Sequence, residues 1–357
     1  MKKRMLSALL CLCMMLTMMP AAFAVGTDDS SSSESVSTTL PEAKDGVYTL
    51  DEDVSINTIG LGAGETVYDL NGHTLTYTGG TVQPQEGQTL AFRDSSVSGT
   101  ERGGTLKLTG VEGTKAALNP QTGATVNASN IKVECSGSAF FPQGDAAAVN
   151  ITSCDVKADV YCVGTNAATT DNYGVEINLT DSTFTATSGN DDDCAVMINV
   201  NGTLNIDNCT ISGHRQGVLV RAGKANITNS SIKTLGTYSD ADAYYDSAWQ
   251  SGNEVPAAAL TVGNYAAGAA TAYKADAVVK LTNTKLTAEN NFPALYVDAN
   301  ATYSANVTIT GDDTNVSGAV MKGQQTAAGA ISIAVSGGTF SNSVADYVSS
   351  DLKYEVS

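Results

Sequence analysis

Short alternations of apolar and polar residues recur along this chain, each broken by a turn rich in Asn and Ser. In Leu204-Asn205-Ile206-Asp207 the apolar side chains point one way and the polar ones the other, the period of two of a half-buried strand. Asn208 interrupts the alternation and Ile211 resumes it, so the unit reads strand, turn, strand. It recurs at Asn150–Val156, Asn178–Phe184 and Asn226–Ile232, with a weaker copy at Lys280–Leu286. Upstream, Tyr68–Leu75 fits if Leu70 takes the place of Ile206 and Leu75 that of Ile211; Leu90–Val97 is the next copy, and Val126, Ala128, Asn130 and Val133 continue it.

A second phrase lies between copies of the first, as in Gly217-Val218-Leu219-Val220, Cys194–Ile198, Ala258–Val262, Ala294–Val297 and Ala139–Phe141. It predicts another strand in each repeat. A phrase returning at about 20 to 30 residues marks a solenoid, whose repeats bury their apolar faces only against their neighbours. Several short strands per repeat, without an amphipathic helical pattern, predict an all-β parallel β-helix of about ten coils.

Stacking the copies gives inward files of Leu, Ile and Val. It also predicts a turn file of Asn130, Ser153, Asp181, Asn208, Asn229 and Asn283. Asn127, Asn150, Asn178, Asn205 and Asn226, with Thr152, Thr180 and Thr228 beside them, form a flat polar outward face. From Ile206 to Ile227 is 21 residues, a minimal coil, whereas from Ile227 to Leu281 is 54. The longer interval is one coil with an excursion at 235–256, or two coils of which one is degenerate.

The ends read differently. Lys2, Lys3 and Arg4 precede an apolar run that closes on Ala22-Phe23-Ala24, the pattern of a secretory signal peptide over 1–24. Residues 25–45 read as a flexible linker, 46–343 as the β-helix and 344–357 as a C-terminal cap or tail. The expected location is secreted, extracellular or at the cell surface. No later run is apolar and long enough for a membrane span, so membrane insertion is not expected.

Removing the basic start takes the formal net charge from −18 to −21. Such a chain repels nucleic acid, and an acidic polysaccharide as well unless a metal bridges the two. Cys135, Cys154, Cys162, Cys194 and Cys209 remain after cleavage, an odd number that leaves at least one thiol free or paired between chains. The preferred reading makes them small buried hydrophobes.

Leu70–Leu75, Asp94-Ser95-Ser96, the Asn-Ile-Thr-Asn phrases and the closing Ser336–Asn342 with Val344–Val348 carry a family resemblance. The chain resembles the pectin-lyase-like, right-handed parallel β-helix of repeat-containing surface and adhesin-like proteins of Gram-positive, often gut, bacteria. That fold hosts lyases, hydrolases and adhesins alike, so the resemblance implies architecture more than activity.

Three constellations carry candidate chemistry. Tyr238, Tyr244, Tyr245 and Trp249 gather in the excursion with Asp240, Asp242 and Asp246; their flat faces suit sugar rings, or else they pack back on the fold. Asp191, Asp192 and Asp193 offer hard oxygen ligands for calcium, or else form a solvated acidic turn. Asp207, His214, Arg215, Arg221 and Lys224 offer a weak catalytic set, in which Arg215 or Arg221 would be the base of a lyase. A charged cluster of this kind is more often a solvated face. Galacturonan hydrolases of this fold carry Asn-x-Asp, Asp-Asp, Gly-His-Gly and Arg-x-Lys in that order, and here the order is broken and Gly213-His214-Arg215 replaces the third motif. The leading expectation is a non-catalytic, adhesin-like protein that binds glycan or a surface protein. The alternative is a calcium-dependent polysaccharide lyase or other carbohydrate-active enzyme.

Overall fold

The computed structural model describes residues 36–165, 173–187, 194–235, 257–263, 273–289, 292–299, 303–323 and 331–349. They form an all-β body of long parallel sheets, consistent with a parallel β-helix. The strands make three faces. The first runs from Val47–Thr49 through Thr89–Arg93 and Ala148–Thr152 to Ile331–Val335. The second is a sheet of 11 strands from Val54–Ile56 to Thr339–Phe340. The third begins at Ala116–Leu118 and Ser138–Phe140 and ends at Val320–Lys322. Cys194–Asp207 and Gln216–Thr228 bend around the corner between the third and first faces, so the first face and the third-face strands from Cys194 onward form one sheet of 14 strands, while Ala116–Leu118 and Ser138–Phe140 pair as a separate sheet of two.

Register is set by the inward files. Tyr68, Phe92, Ala128, Ile151, Leu179, Ile206, Ile227, Leu281 and Ile309 pair in sequence on the first face. A slip by one residue would turn each of them outward, so burial holds the register. Every residue of this file is buried, and each large apolar side chain contributes about 1.5–3 kcal/mol by leaving water. Tyr48, Tyr68 and Phe92 stack at one end of the file, with ring centres 5.0 and 5.5 Å apart.

The turn file forms as expected. Asn130, Ser153, Asp181, Asn208, Asn229 and Asn283 all have φ between 50° and 58°. Asn and Asp tolerate this left-handed conformation better than other non-glycine residues, and it redirects the chain from the first face to the second. The next rung has Gly311 at the same step, with φ 89°.

Two upstream placements are corrected. Tyr68, not Leu70, is the counterpart of Ile206, because Tyr68 pairs with Phe92. Leu106, not Val97, follows Leu75 in the second face, because the chain leaves the sheet between Asp94 and Gly104. Asp94 organises that detour. Its carboxylate accepts the amides of Gly72, Ser96 and Gly104 and the hydroxyl of Ser96. A Cβ on Gly104 would sit 2.2 Å from the His73 carbonyl oxygen, so the corner closes only around glycine.

The long interval also resolves. Ile227 pairs directly with Leu281 and Ile232 with Leu286, so Ile227–Leu281 is one rung and Ala258–Val262 is its third-face strand. Part of the expected linker belongs to the body: Ser37 bridges Val54, and Leu40 packs against the core. At the other end a 3-10 turn at Ala345–Tyr347 follows buried Val344, and Val348 bridges Val335.

Candidate functional site

The three faces present different surfaces. On the first, the outward asparagines form a continuous ladder. Asn150 donates to Asn127 at 2.9 Å, Asn178 to Asn150 at 2.8 Å, Asn205 to Asn178 at 2.8 Å and Asn226 to Asn205 at 2.9 Å. All four bonds run Nδ2 to Oδ1 in the same sense. In-register parallel strands produce this, because equal positions stack at the strand spacing of about 4.8 Å. Beside the ladder, Thr228 Oγ1 donates to Asp207 at 2.6 Å, and the hydroxyls of Thr282 and Thr310 lie 2.9 Å apart. The amides therefore hold one another in place.

The middle of the third face, from Cys194 to Val297, is buried on both sides, whereas its last strand Val320–Lys322 is not. Its inward residues Val196, Val218, Leu260 and Leu295 join the main core. Its outward residues Met197, Leu219 and Tyr296 join Val160, Tyr161 and Phe292 in a second apolar cluster. Polar groups are enclosed with them: Thr165 donates to Asn199 Oδ1 at 2.8 Å, and Tyr296 donates to Asp298 at 3.3 Å.

The weak catalytic set is distributed over three corners. Asp207 is exposed at the turn from the first face to the second, where it also accepts Asn229 Nδ2 at 2.9 Å. Arg215 is buried at the turn from the second face to the third. Arg221 lies at the end of the third face and is 2% exposed. Its guanidinium stacks 4.4 Å from the ring centre of Tyr273 and donates to the Tyr273 hydroxyl at 2.9 Å. The two arginines are thus enclosed, where a solvated charged face was the commoner expectation. The structure does not gather Asp207, Arg215 and Arg221 into one cleft.

Tyr238, Tyr244, Tyr245 and Trp249, and Asp191, Asp192 and Asp193, lie outside the described residues. Among the described residues, no group of three or more His, Cys, Asp or Glu is arranged to hold a metal ion. Nor does any described helix have the length and hydropathy to cross a membrane.

All five cysteines of the described body are buried. Burial pushes the thiols of Cys135 and Cys154 up to about 12 and that of Cys209 to about 11. Such thiols are poor nucleophiles and poor metal ligands at neutral pH.

Sequence reasoning did not find the recess on the second face. It has a volume of about 330 Å³ and is lined by Lys107, Thr109, Glu134, Ser136, Lys157, Asp159 and Thr187 over Cys135. The available signal was Lys-x-Thr, Glu-x-Ser and Lys-x-Asp at equal steps of neighbouring repeats, and that emerges only once the register is known.

Comparison with protein-family models, with curated proteins and with solved structures finds no match to this chain.

Proposed function

We propose that this chain is a secreted or cell-surface, adhesin-like protein that binds a glycan or protein ligand without turning it over. In this reading it is a right-handed parallel β-helix of about ten coils, like the pectin-lyase-like surface proteins it resembles. The observation that carries the reading is the asparagine ladder. Five amides are fixed by one another in a flat row, so binding there loses little side-chain freedom. The separation of Asp207, Arg215 and Arg221 over three corners supports binding over a calcium-dependent lyase reaction.

Two measurements test the reading. Mass spectrometry of plant, mucin and bacterial polysaccharides, incubated with the protein with and without calcium, is expected to find the polymers intact. Shortened or unsaturated products would overturn it. Glycan and protein arrays probed with the chain and with Asn150→Ala/Asn178→Ala are expected to show a ligand that the double variant binds at least tenfold more weakly. Equal binding by both proteins would remove the ladder from the site.

A further inference from the structure

The geometry points to a second, independent binding surface: the outer side of the second face takes an extended anionic polysaccharide. The chain as a whole has a formal net charge of −18, yet this face is basic. Its outward strand positions carry Lys107, Lys132, Lys157, Lys233 and Lys285 against Glu134 and Asp155. Both carboxylates are already engaged. Asp155 meets Arg102 at 3.3 Å, and Glu134 meets Lys107 at 3.7 Å. Among the described residues, Lys132, Lys157, Lys233 and Lys285 have no carboxylate within ion-pair distance.

The other outward positions of this face are mostly hydroxyls, among them Thr105, Thr183, Thr185, Thr210, Ser231 and Thr287. The strands pair in register, so ammonium groups and hydroxyls fall into two straight files across the rungs. Lys107 and Lys157 stand two strands apart with Glu134 between them, a separation of about 10 Å. The recess opens beside this pair, where Asp159 accepts Thr187 Oγ1 at 3.2 Å.

Spaced cations with hydroxyls and a carboxylate between them match a polymer that carries an anionic group on some units and hydroxyls on the rest. Lysine serves as a point charge for such groups, and the Ser and Thr hydroxyls both donate and accept. Nucleic acid fits less well. Its phosphates form an unbroken anionic row, and single strands also need aromatic stacking platforms, which the outward positions of these strands do not supply. The negative net charge disfavours polyanions over the surface as a whole, and the lysines of this strip offset it locally.

The test is retention of the full chain on dextran sulfate, with uncharged dextran as the matched control. Retention is expected at low salt, with loss as salt rises, and none is expected on the uncharged polymer. Lys132→Ala/Lys157→Ala, at exposed positions, is expected to weaken binding about threefold to tenfold. Lys233→Ala/Lys285→Ala is an independent second variant, and a thermal melt confirms that each is folded. Asn150→Ala/Asn178→Ala is expected to leave retention unchanged, so this strip stands or falls apart from the ladder. No retention at low salt, retention of both lysine variants equal to that of the native chain, or equally tight binding of single-stranded DNA or anionic vesicles would each overturn the assignment.

Discussion

Ser182 Oγ accepts the backbone N–H of Cys154 from the neighbouring rung at 3.0 Å while donating to the carbonyl of Thr180 in its own strand at 2.6 Å. Ser230 repeats the arrangement with Cys209 at 3.0 Å and Thr228 at 2.6 Å. The thiols of Cys154 and Cys209 point at the carbonyls of Thr152 and Asp207, each at 3.3 Å. Serine and cysteine thus alternate in a buried file just after the left-handed turn, where each serine hydroxyl accepts a cysteine amide that the turn takes out of the ladder.

Ser182→Ala is expected to destabilise the protein by about 1–3 kcal/mol, because the buried Cys154 amide loses its acceptor. Cys154→Ser keeps a small donor at its own position and is expected to change stability far less. Urea denaturation of both variants checks the difference. Equal losses would mean that volume, not hydrogen bonding, governs the file.

The buried thiols make the fold sensitive to alkali. Cys135 and Cys154 hold their protons to about 12 and Cys209 to about 11 in the native state, against an ordinary value of 9.0. The unfolded chain therefore releases these protons first as pH rises, and stability falls above about pH 9. Melting temperatures across pH 7 to 11 are expected to drop, and less so for Cys154→Ser/Cys209→Ser. At pH 8, iodoacetamide is expected to alkylate Cys135, Cys154 and Cys209 only after denaturant is added, as peptide mass mapping would show.

Asp94 acts at the other end of the pH scale. Burial penalises its charge, but the Ser96 hydroxyl and the amides of Gly104, Gly72 and Ser96 prevail and hold the carboxyl below the ordinary value of 3.8. The stabilisation is complete above the unfolded value and is lost as pH falls through the native one. Asp94→Asn is expected to cost about 2–3 kcal/mol at pH 7, since it sets an amide N–H₂ among N–H donors. The gap between the two proteins should narrow at pH 3 in urea titrations.

Asn208 has φ 52°, a conformation that disfavours β-branched residues. Asn208→Val is expected to cost about 1–2 kcal/mol. Asn208→Gly removes the steric cost, so it should lose only the bond from Asn208 to Asp181 at 2.6 Å. Denaturation midpoints should rank native and Gly together and Val well below.

The turn file was legible because a left-handed step selects Asn, Asp or Gly and leaves a periodic mark in the sequence. The inward files were legible wherever that step kept its length. They were misread at Leu70 and Val97, where corners lengthen: Leu70 is fully buried, so its apolar character alone could not place it in a corner. Arg215 and Arg221 resemble surface charges in a linear reading, and their burial emerges only once the strands are stacked. The basic strip was hidden for a similar reason. Net charge is a sum over the whole chain, and the lysines come together only when strands from Thr105–Leu108 to Lys285–Thr287 are stacked.

The asparagine ladder bears on how a chain like this grows. Each inner amide gives one hydrogen to the rung before it and receives one from the rung after it. A tandem duplication of such a rung inserts one more giver and receiver and leaves the bonding on either side unchanged. Length is therefore a property that copying errors in the coding sequence can alter in single-rung steps, with the flat face extended and no neighbour left to readjust.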